Sequence, residues 1–225
     1  EALRSHGYHH LLEDPDRLIY AIKREVRGCQ VGVYGLNSAW SCGRDAEKGR
    51  LWAAGRWQVG RLTQKLPEND VDVPVALIHH PGGWLKEEED PDFPTHLGEV
   101  LPVHLHGHEH QGWVDERADG RLRVAASACY ERPGRPCGYS FVTIDLAARS
   151  ADIWLRRYES EGRGGWVPRV LPGHTDNRGV YSIRNLTWLP SAPLPAVAAA
   201  HRNEPGEPDE AGPDDAARMG KGADR

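Results

Sequence analysis

The sequence predicts a mixed α/β fold whose sheet contains both parallel and antiparallel strands. Helical and strand-like patterns alternate in the first part of the chain, whereas two hairpin patterns follow in the second part. The segment from Val73 to His79 is a continuous apolar run, which is typical of a strand covered on both faces. This order favours a mixed sheet over a doubly wound parallel one.

The first elements follow from apolar spacing and from turn residues. Leu18 to Val26 and Cys29 to Leu36 are predicted as two strands joined at Arg27-Gly28, although the first segment also fits a helix. Leu51 to Leu66 has helical spacing and ends before Pro67, which cannot continue a helix. Leu97 to Leu105 is an apolar run that leads directly into a cluster of histidines.

The later elements are two predicted hairpins followed by a polar tail. Trp113 to Arg117 pairs with Arg121 to Ser127 around Asp119-Gly120, and Tyr139 to Leu146 pairs with Ala151 to Tyr158. Large apolar residues nearly vanish after Val197, so residues 191–225 are predicted to be a disordered tail or linker. The predicted organisation is a main domain over residues 1–173, an extension over 174–190 and the tail.

Bulk composition excludes several function classes. The chain has 225 residues and a formal net charge of -5, which fits one domain with appendages. This balance does not indicate a nucleic-acid binder, and no apolar stretch approaches the ~20 residues of a membrane span. The four cysteines lack paired metal-finger spacing, so a reduced, cytoplasmic setting is the simplest interpretation.

The most informative motif is a run with four histidines in seven residues, from His104 to His110. Gly107 permits a tight turn after the apolar run, and His108 and His110 are spaced so that both can face one cavity. Imidazole is the commonest side-chain metal ligand. The alternative is a solvated, histidine-rich loop.

A smaller cluster, His79-His80-Pro81, ends the run that includes Val75 to Ile78. Pro81 cannot continue a sheet ladder, so the two histidines are expected at the tip of a strand. The alternative is a strand-end histidine that hydrogen-bonds a carbonyl. Because both clusters end apolar runs, together they predict a metal site at the rim of a sheet.

In this order, His-His-Pro followed by Gly-His-x-His resembles the C-terminal half of the calcineurin-like metallophosphoesterase domain. The segment Gly35 to Ala39 is similar to the Gly-Leu-Asn-Ser-Ala segment of bacterial members, as is the helix around Gly55 to Gln58. The resemblance covers roughly Leu18 to Tyr158. It implies a layered α/β/β/α sandwich of mixed sheets.

The resemblance also implies a hydrolase that cleaves phosphomonoesters or phosphodiesters with water activated by two divalent ions, Mn, Fe, Zn or Co. It places His79 and His108 on the second metal and His110 on the first. His80 would support these ligands without binding metal, and Glu109 would point away.

Three further features have a structural and a functional interpretation. Asn37 is a candidate substrate contact, but an Asn after a strand also forms turns. Trp84 is a candidate wall of a substrate pocket, or it packs on the sheet rim. Gly173-His174 lacks the final histidine of a second Gly-His-x-His and is predicted to be a loop.

The family's upstream motifs, Asp-x-His, Gly-Asp-x-x-Asp and Gly-Asn-His, do not occur in this chain. The sequence therefore predicts an N-terminally truncated domain that is inactive alone and whose partner is the missing half of the same domain. It also predicts that Val75 and Ile78 are unusually exposed, because the missing half would cover them. One alternative is a non-catalytic regulatory or interaction domain that retains part of a phosphoesterase site. The other is an unrelated protein that holds one metal with three histidines.

Overall fold

A computed structural model describes residues 18–43, 47–88, 92–116, 120–129, 137–160 and 162–189. The predicted tail at 191–225 and the turn residue Asp119 lie outside the described residues. In chain order the elements are β1 (Tyr20–Val26), β2 (Cys29–Gly35), α1 (Gly55–Lys65), β3 (Val73–Ile78), α2 (Asp92–Val100), β4 (Val103–His106), β5 (Trp113–Glu116), β6 (Leu122–Ala125), β7 (Gly138–Asp145), β8 (Ser150–Glu159), β9 (Gly165–Pro168) and β10 (Val180–Arg184). Short 3-10 turns cover Glu68–Asp70 and Gly82–Trp84.

The first sheet has six strands in the order β1-β2-β3-β4-β6-β5. Strands β2, β3, β4 and β6 are parallel, while β1 and β5 run antiparallel to their neighbours at the two edges. The prediction of a mixed sheet is therefore confirmed, and β5 with β6 is the first predicted hairpin. The positive φ of Gly120, 74°, places the glycine where its freedom is needed, just before β6.

The second sheet is antiparallel, in the order β10-β8-β7, with β9 also paired to β8. Strands β7 and β8 form the second predicted hairpin. The sequence assigned residues 174–190 to an extension, but Val180–Arg184 lies in this sheet and pairs with Ser150–Trp154. The five residues of this strand do not alternate between apolar and polar, so the sequence did not identify it without its neighbour.

Two hydrophobic cores define three layers. One face of the first sheet, including Tyr34 and Ala76, packs against Val59 and Leu62 of α1 and Leu97 of α2. On the opposite face, a second set of buried residues joins the two sheets: Val103, Leu122, Val124, Ile153, Leu155 and Ile183. The described residues thus form an α/β/β arrangement of mixed and antiparallel sheets, which confirms the predicted α/β class. Neither described helix is long and apolar enough to cross a membrane.

The apolar run from Leu97 to Leu105 is a helix end followed by a strand, and not one continuous element. Pro102 lacks a backbone N–H and biases the preceding residue toward extended conformations, so the helix ends at Val100. The spacing of Leu97 and Leu101, both nearly fully buried, is helical. Strand β4 then begins at Val103 and delivers the histidines to the rim.

One part of the first sheet is open. A groove of about 320 Å³ lies over the carboxyl ends of β2, β3 and β4, with Tyr20, Leu77 and Leu105 in its walls and His79 at its rim. Val75 and Ile78, whose exposure the sequence predicted, are both only partly buried. Apolar side chains of the central strands therefore border an accessible surface next to the histidines.

Helix α1 supplies a test of the packing between the helices. A Cβ atom added at Gly55 would overlap the ring of Phe93, which is itself 3 % exposed. We expect Gly55→Ala to reduce the free energy of unfolding by about 1–3 kcal/mol, because the two helices would have to separate.

Gly60 lies in the same helix, and a Cβ added there would meet no atom within 4 Å. Gly60→Ala should therefore stabilise the protein by about 0.5–1 kcal/mol. Urea unfolding of both variants measures the difference, and equal effects would contradict the described packing.

Candidate metal centre

Parallel pairing brings the two histidine clusters to one edge of the sheet. Strands β3 and β4 are parallel neighbours, with Ile78 opposite His106. The residues that follow them, His79-His80 and Gly107-His108, therefore emerge side by side. The backbone N–H of Gly107 donates to the carbonyl of His79 at 3.2 Å, which fixes the two strand ends together.

Three imidazoles converge at this edge. The Nδ1 atom of His108 lies 3.2 Å from Nε2 of His79, and one ring nitrogen from each of His79, His80 and His108 lies within 4.8 Å of the others. The ring centroids of His80 and His108 are 4.4 Å apart. Among the described residues, these three form the one group of three or more metal-ligating side chains at such short separations.

The turn after β4 directs His108 toward this group. His108 has φ of 72° and His110 has φ of 58°, both in the left-handed region that few residues other than glycine adopt. The N–H of Glu109 donates back to the carbonyl of Gly107 at 2.9 Å. Left-handed backbone at a non-glycine residue persists only where surrounding contacts enforce it, and such positions concentrate at functional sites.

Ser38 holds both the ring and the backbone of His80. The Ser38 Oγ atom lies 2.9 Å from His80 Nδ1 and accepts a hydrogen bond from the His80 backbone N–H at 3.0 Å. Both residues are almost fully buried, at 1 % and 4 % exposure. Because Nδ1 is occupied by Ser38, Nε2 is the nitrogen of His80 that remains for a ligand.

The loop that carries Ser38 is itself held by a buried glutamine of α1. Gln58 Oε1 accepts from the backbone N–H of Asn37 at 2.8 Å, and Gln58 Nε2 donates to the Asn37 carbonyl at 2.8 Å and to the Ala53 carbonyl. Gln58 is 1 % exposed. A chain of hydrogen bonds thus runs from helix α1 to the ring of His80.

The electrostatic environment keeps the rings of His80 and His108 neutral. Burial lowers the pKa of His80 to about 4, and the neighbouring His108 and His79 contribute to this lowering. Burial also lowers the pKa of His108, assisted by His79 and His110. A neutral imidazole offers a lone pair, so the rings of His80 and His108 are available as metal ligands at neutral pH.

The structure changes the set of converging residues that the sequence proposed. His79 and His108 come together as expected, but His80 joins them directly and does not stand behind them. His110 is exposed and does not belong to the three-residue group, so its metal role stays a prediction. Glu109 points away, since its carboxylate accepts from Trp113 Nε1 at 2.8 Å.

The two candidate substrate contacts differ. Trp84 borders the site, with its ring centroid 4.0 Å from that of His108 and 5.9 Å from that of His80. The Oδ1 atom of Asn37 accepts from the N–H groups of Ala39 and Trp40 at 2.9 and 3.1 Å, so it forms a turn. Trp84 therefore lies against the converging histidines, whereas the side chain of Asn37 is engaged in a turn.

Sequence reasoning missed Ser38 as a partner of His80 and also missed Cys42. The Cys42 Sγ atom lies 3.7 Å from His80 Nε2. Both residues lie about forty positions upstream of His80, so no local motif links them. The Gly-Leu-Asn-Ser-Ala resemblance was the one sequence signal that pointed to this loop.

The Ser38 contact predicts an effect on metal affinity. Ser38→Ala removes both hydrogen bonds to His80 and leaves its ring free to rotate. We expect divalent-metal affinity to fall by about 10–100-fold, the usual cost of losing an outer hydrogen-bonding partner. Competition with a chromophoric chelator measures this, and Ser41→Ala serves as a control, because Ser41 Oγ bonds the backbone of Trp52 in the same loop. Unchanged affinity in Ser38→Ala would remove His80 from the ligand set.

Two solved structures are similar to this chain. Vps29 of Chaetomium thermophilum is 8% identical with a TM-score of 0.30, and the match covers 73% of this chain and 60% of that chain. Wild-type Vps29 of Entamoeba histolytica, complexed with Zn²⁺, is 10% identical with a TM-score of 0.25, over 66% of this chain and 59% of that chain. The chain thus spans about three fifths of each. No protein family and no curated protein matches the sequence. The fold class consequently rests on the strand order, and the candidate metal centre rests on the converging histidines.

Proposed function

We propose that this chain carries part of the active site of a metal-dependent phosphoesterase. In this proposal His79, His80 and His108 hold a divalent cation at the carboxyl edge of the first sheet. The observation that carries it is the convergence of three histidines, two of them with lowered pKa values, from two adjacent parallel strands. The accessible groove beside His79 gives a substrate room to approach.

The donor set fits one cation. Three imidazoles with a remaining open position are typical of catalytic zinc, and imidazole also binds Mn, Fe and Co. Among the described residues, the group contains no carboxylate. A second cation at His110 would need anionic ligands to bridge it to the first, so the two-metal site is a further part of the proposal.

A bound cation would polarise the phosphoryl oxygens and lower the pKa of a water molecule. The chain's own residues would orient the reactants. Ser38 holds the His80 ring, and the Gly107 amide joins the two strand ends. Trp84 forms a wall against His108 on which the organic group of a phosphoester could pack.

A non-catalytic metal-binding interaction domain is the second candidate. This candidate is favoured because the group of three histidines contains no carboxylate among the described residues. Neutral imidazoles alone do not balance the charge of two divalent cations. This candidate predicts metal binding without turnover in every form of the protein.

The test uses the 225-residue chain and, if its gene encodes a longer product, that full-length protein as well. Each is loaded with Mn²⁺ or Zn²⁺, its metal content is measured, and hydrolysis of p-nitrophenyl phosphate and bis-p-nitrophenyl phosphate is followed. We expect both to bind metal, the short chain to show no turnover and the full-length protein to hydrolyse an ester. Metal binding without turnover in both would establish the interaction domain, and absence of metal from both would contradict the two candidates.

A further inference from the structure

We infer that the outer face of the second sheet binds single-stranded nucleic acid, with bases stacked on exposed aromatic rings and phosphates paired with arginines. The face is formed by side chains of β7, β8 and β9 that point away from the first sheet. It is separate from the histidine rim. The inference does not use the metal centre of the proposed function, so either can fail without the other.

Alternation along the strands gives the second sheet an apolar inner face and an aromatic outer face. Ile153 and Leu155 of β8 are at most 2 % exposed and pack in the core between the two sheets. Successive side chains of a strand point to opposite faces, so Trp154 projects outward, and cross-strand pairing places Phe141 beside it. The same alternation gives the outer face five aromatic residues: Tyr139, Phe141, Trp154, Tyr158 and Trp166.

The five rings form one continuous patch. The planes of Tyr139 and Phe141 are 22° apart with centroids at 6.1 Å, and those of Phe141 and Trp154 are 18° apart with centroids at 5.9 Å. Trp166 meets Tyr139 and Tyr158 edge to face, at centroid distances of 4.7 and 5.3 Å. Phe141, Tyr158 and Trp166 are 40 %, 44 % and 46 % exposed, so a ligand can reach their rings. Contiguous exposed apolar surface of this kind marks interaction sites.

Two arginines make this patch cationic. The guanidinium carbon Cζ of Arg178 lies 5.0 Å from the ring centroid of Trp154, and that of Arg156 lies 5.4 Å from it. Neither arginine forms an ion pair with a carboxylate of the described residues. Asp152, two residues before Trp154 on the same face, is instead paired with Arg184 at 3.3 Å. The patch therefore carries unbalanced positive charge, which favours an anionic ligand.

Aromatic rings and unpaired arginines together indicate the ligand class. The bases of a single strand stack on aromatic side chains, while arginine pairs with the phosphates between them. Four-stranded sheets with exposed aromatic residues bind single-stranded RNA in this way in other proteins. An apolar protein segment would also cover the rings, but it would leave both guanidiniums without an anion. The formal net charge of -5 does not indicate such a site, because it sums over the whole chain and the two arginines lie on one face.

Fluorescence anisotropy with labelled oligonucleotides tests the surface. The 225-residue chain is titrated into oligouridylate and oligothymidylate of about 12 nucleotides, and into a duplex of the same length. EDTA is present throughout, so that a cation at the histidine rim plays no part. We expect both single strands to bind and the duplex to bind at least about tenfold more weakly, because a duplex hides the faces of its bases.

Matched variants assign the binding to this face. Trp166→Ala and Phe141→Leu each remove one stacking ring, and each should lower the affinity for oligouridylate by about 5–100-fold. Trp57→Ala should leave it unchanged, because Trp57 is 43 % exposed on α1, on the far side of the first sheet. Arg178→Gln should reduce the slope of log affinity against log salt by about 0.7, which corresponds to one phosphate contact. Arg61→Gln, at an exposed arginine of α1, should leave that slope unchanged.

Absence of oligonucleotide binding, or equal binding of the duplex and the single strands, overturns the inference. Equal losses in Trp166→Ala and Trp57→Ala overturn it too, because the binding would then lie elsewhere. Should circular dichroism show that Trp166→Ala fails to fold, Phe141→Leu, which keeps an apolar side chain, and the salt slope of Arg178→Gln decide. Sedimentation that shows a dimer lost in Phe141→Leu, without oligonucleotide binding, would instead assign this face to contact between two copies of the chain.

Discussion

Removing the imidazole of His79 or His108 is expected to abolish tight divalent-metal binding. Each ring supplies one of the converging nitrogens, and their facing atoms are 3.2 Å apart. Losing a ligand outright should cost more than the ~10–100-fold that follows from disturbing an outer partner. Isothermal titration with Zn²⁺ on His79→Ala and His108→Ala measures the loss, and thermal unfolding without metal verifies that the variants fold.

Two neighbours of His108 serve as controls. Glu109→Ala should leave metal affinity within about twofold of wild type, since its carboxylate bonds Trp113 and an exposed contact of this kind contributes little. His110→Ala tests the assignment that came from the sequence. If it weakens binding as strongly as His79→Ala, the ligand set extends beyond the three converging residues. Equal losses in Glu109→Ala and His108→Ala would show that the turn, and not the ligands, had been disturbed.

The elements that the sequence predicted well are those with short-range signals. The Asp-Gly turn and alternating residues identified β5 with β6, and a continuous apolar run identified β3 as a strand. Apolar spacing and Pro67 predicted a helix from Leu51 to Leu66, and the structure has it at Gly55–Lys65, beginning four residues later. In each case the pattern within one segment was sufficient to determine the local structure.

The failures have long-range causes. Strand β10 is stabilised by pairing with β8, and its own five residues carry little preference. His80 joins the converging histidines because Ser38, 42 positions away, orients its ring. Which histidines of a rim converge depends on such partners and on the left-handed backbone of His108, neither of which a motif encodes. The sequence therefore located the rim but not the full set of converging side chains.

Acidification is expected to destabilise the protein through His104, which lies behind the rim on β4. Burial lowers the pKa of His104 to about 4, against the raising effect of hydrogen bonds to the Leu97 and Leu101 backbone. Its Nε2 atom is buried without a partner in the described structure. In the unfolded chain this imidazole has a pKa near 6.5. Between pH 6.5 and about 4 the unfolded chain therefore binds a proton that the folded protein does not bind. The contribution of His104 to stability is full above pH 6.5 and falls as the pH drops toward 4, by roughly 3 kcal/mol for this residue alone.

Urea unfolding at pH 7, 6, 5 and 4 measures this loss, and His104→Gln isolates it. The glutamine variant cannot take up the proton, so its free energy of unfolding should decline less steeply over this range. At pH 4 its decline should be smaller than that of the wild type by about 3 kcal/mol. His174→Gln is the matched control, because it is the same substitution made in an exposed turn. Its profile should follow that of the wild type. Parallel profiles for the wild type and His104→Gln would show that the folded protein accommodates a charged imidazole at this strand, and that the buried nitrogen has access to solvent.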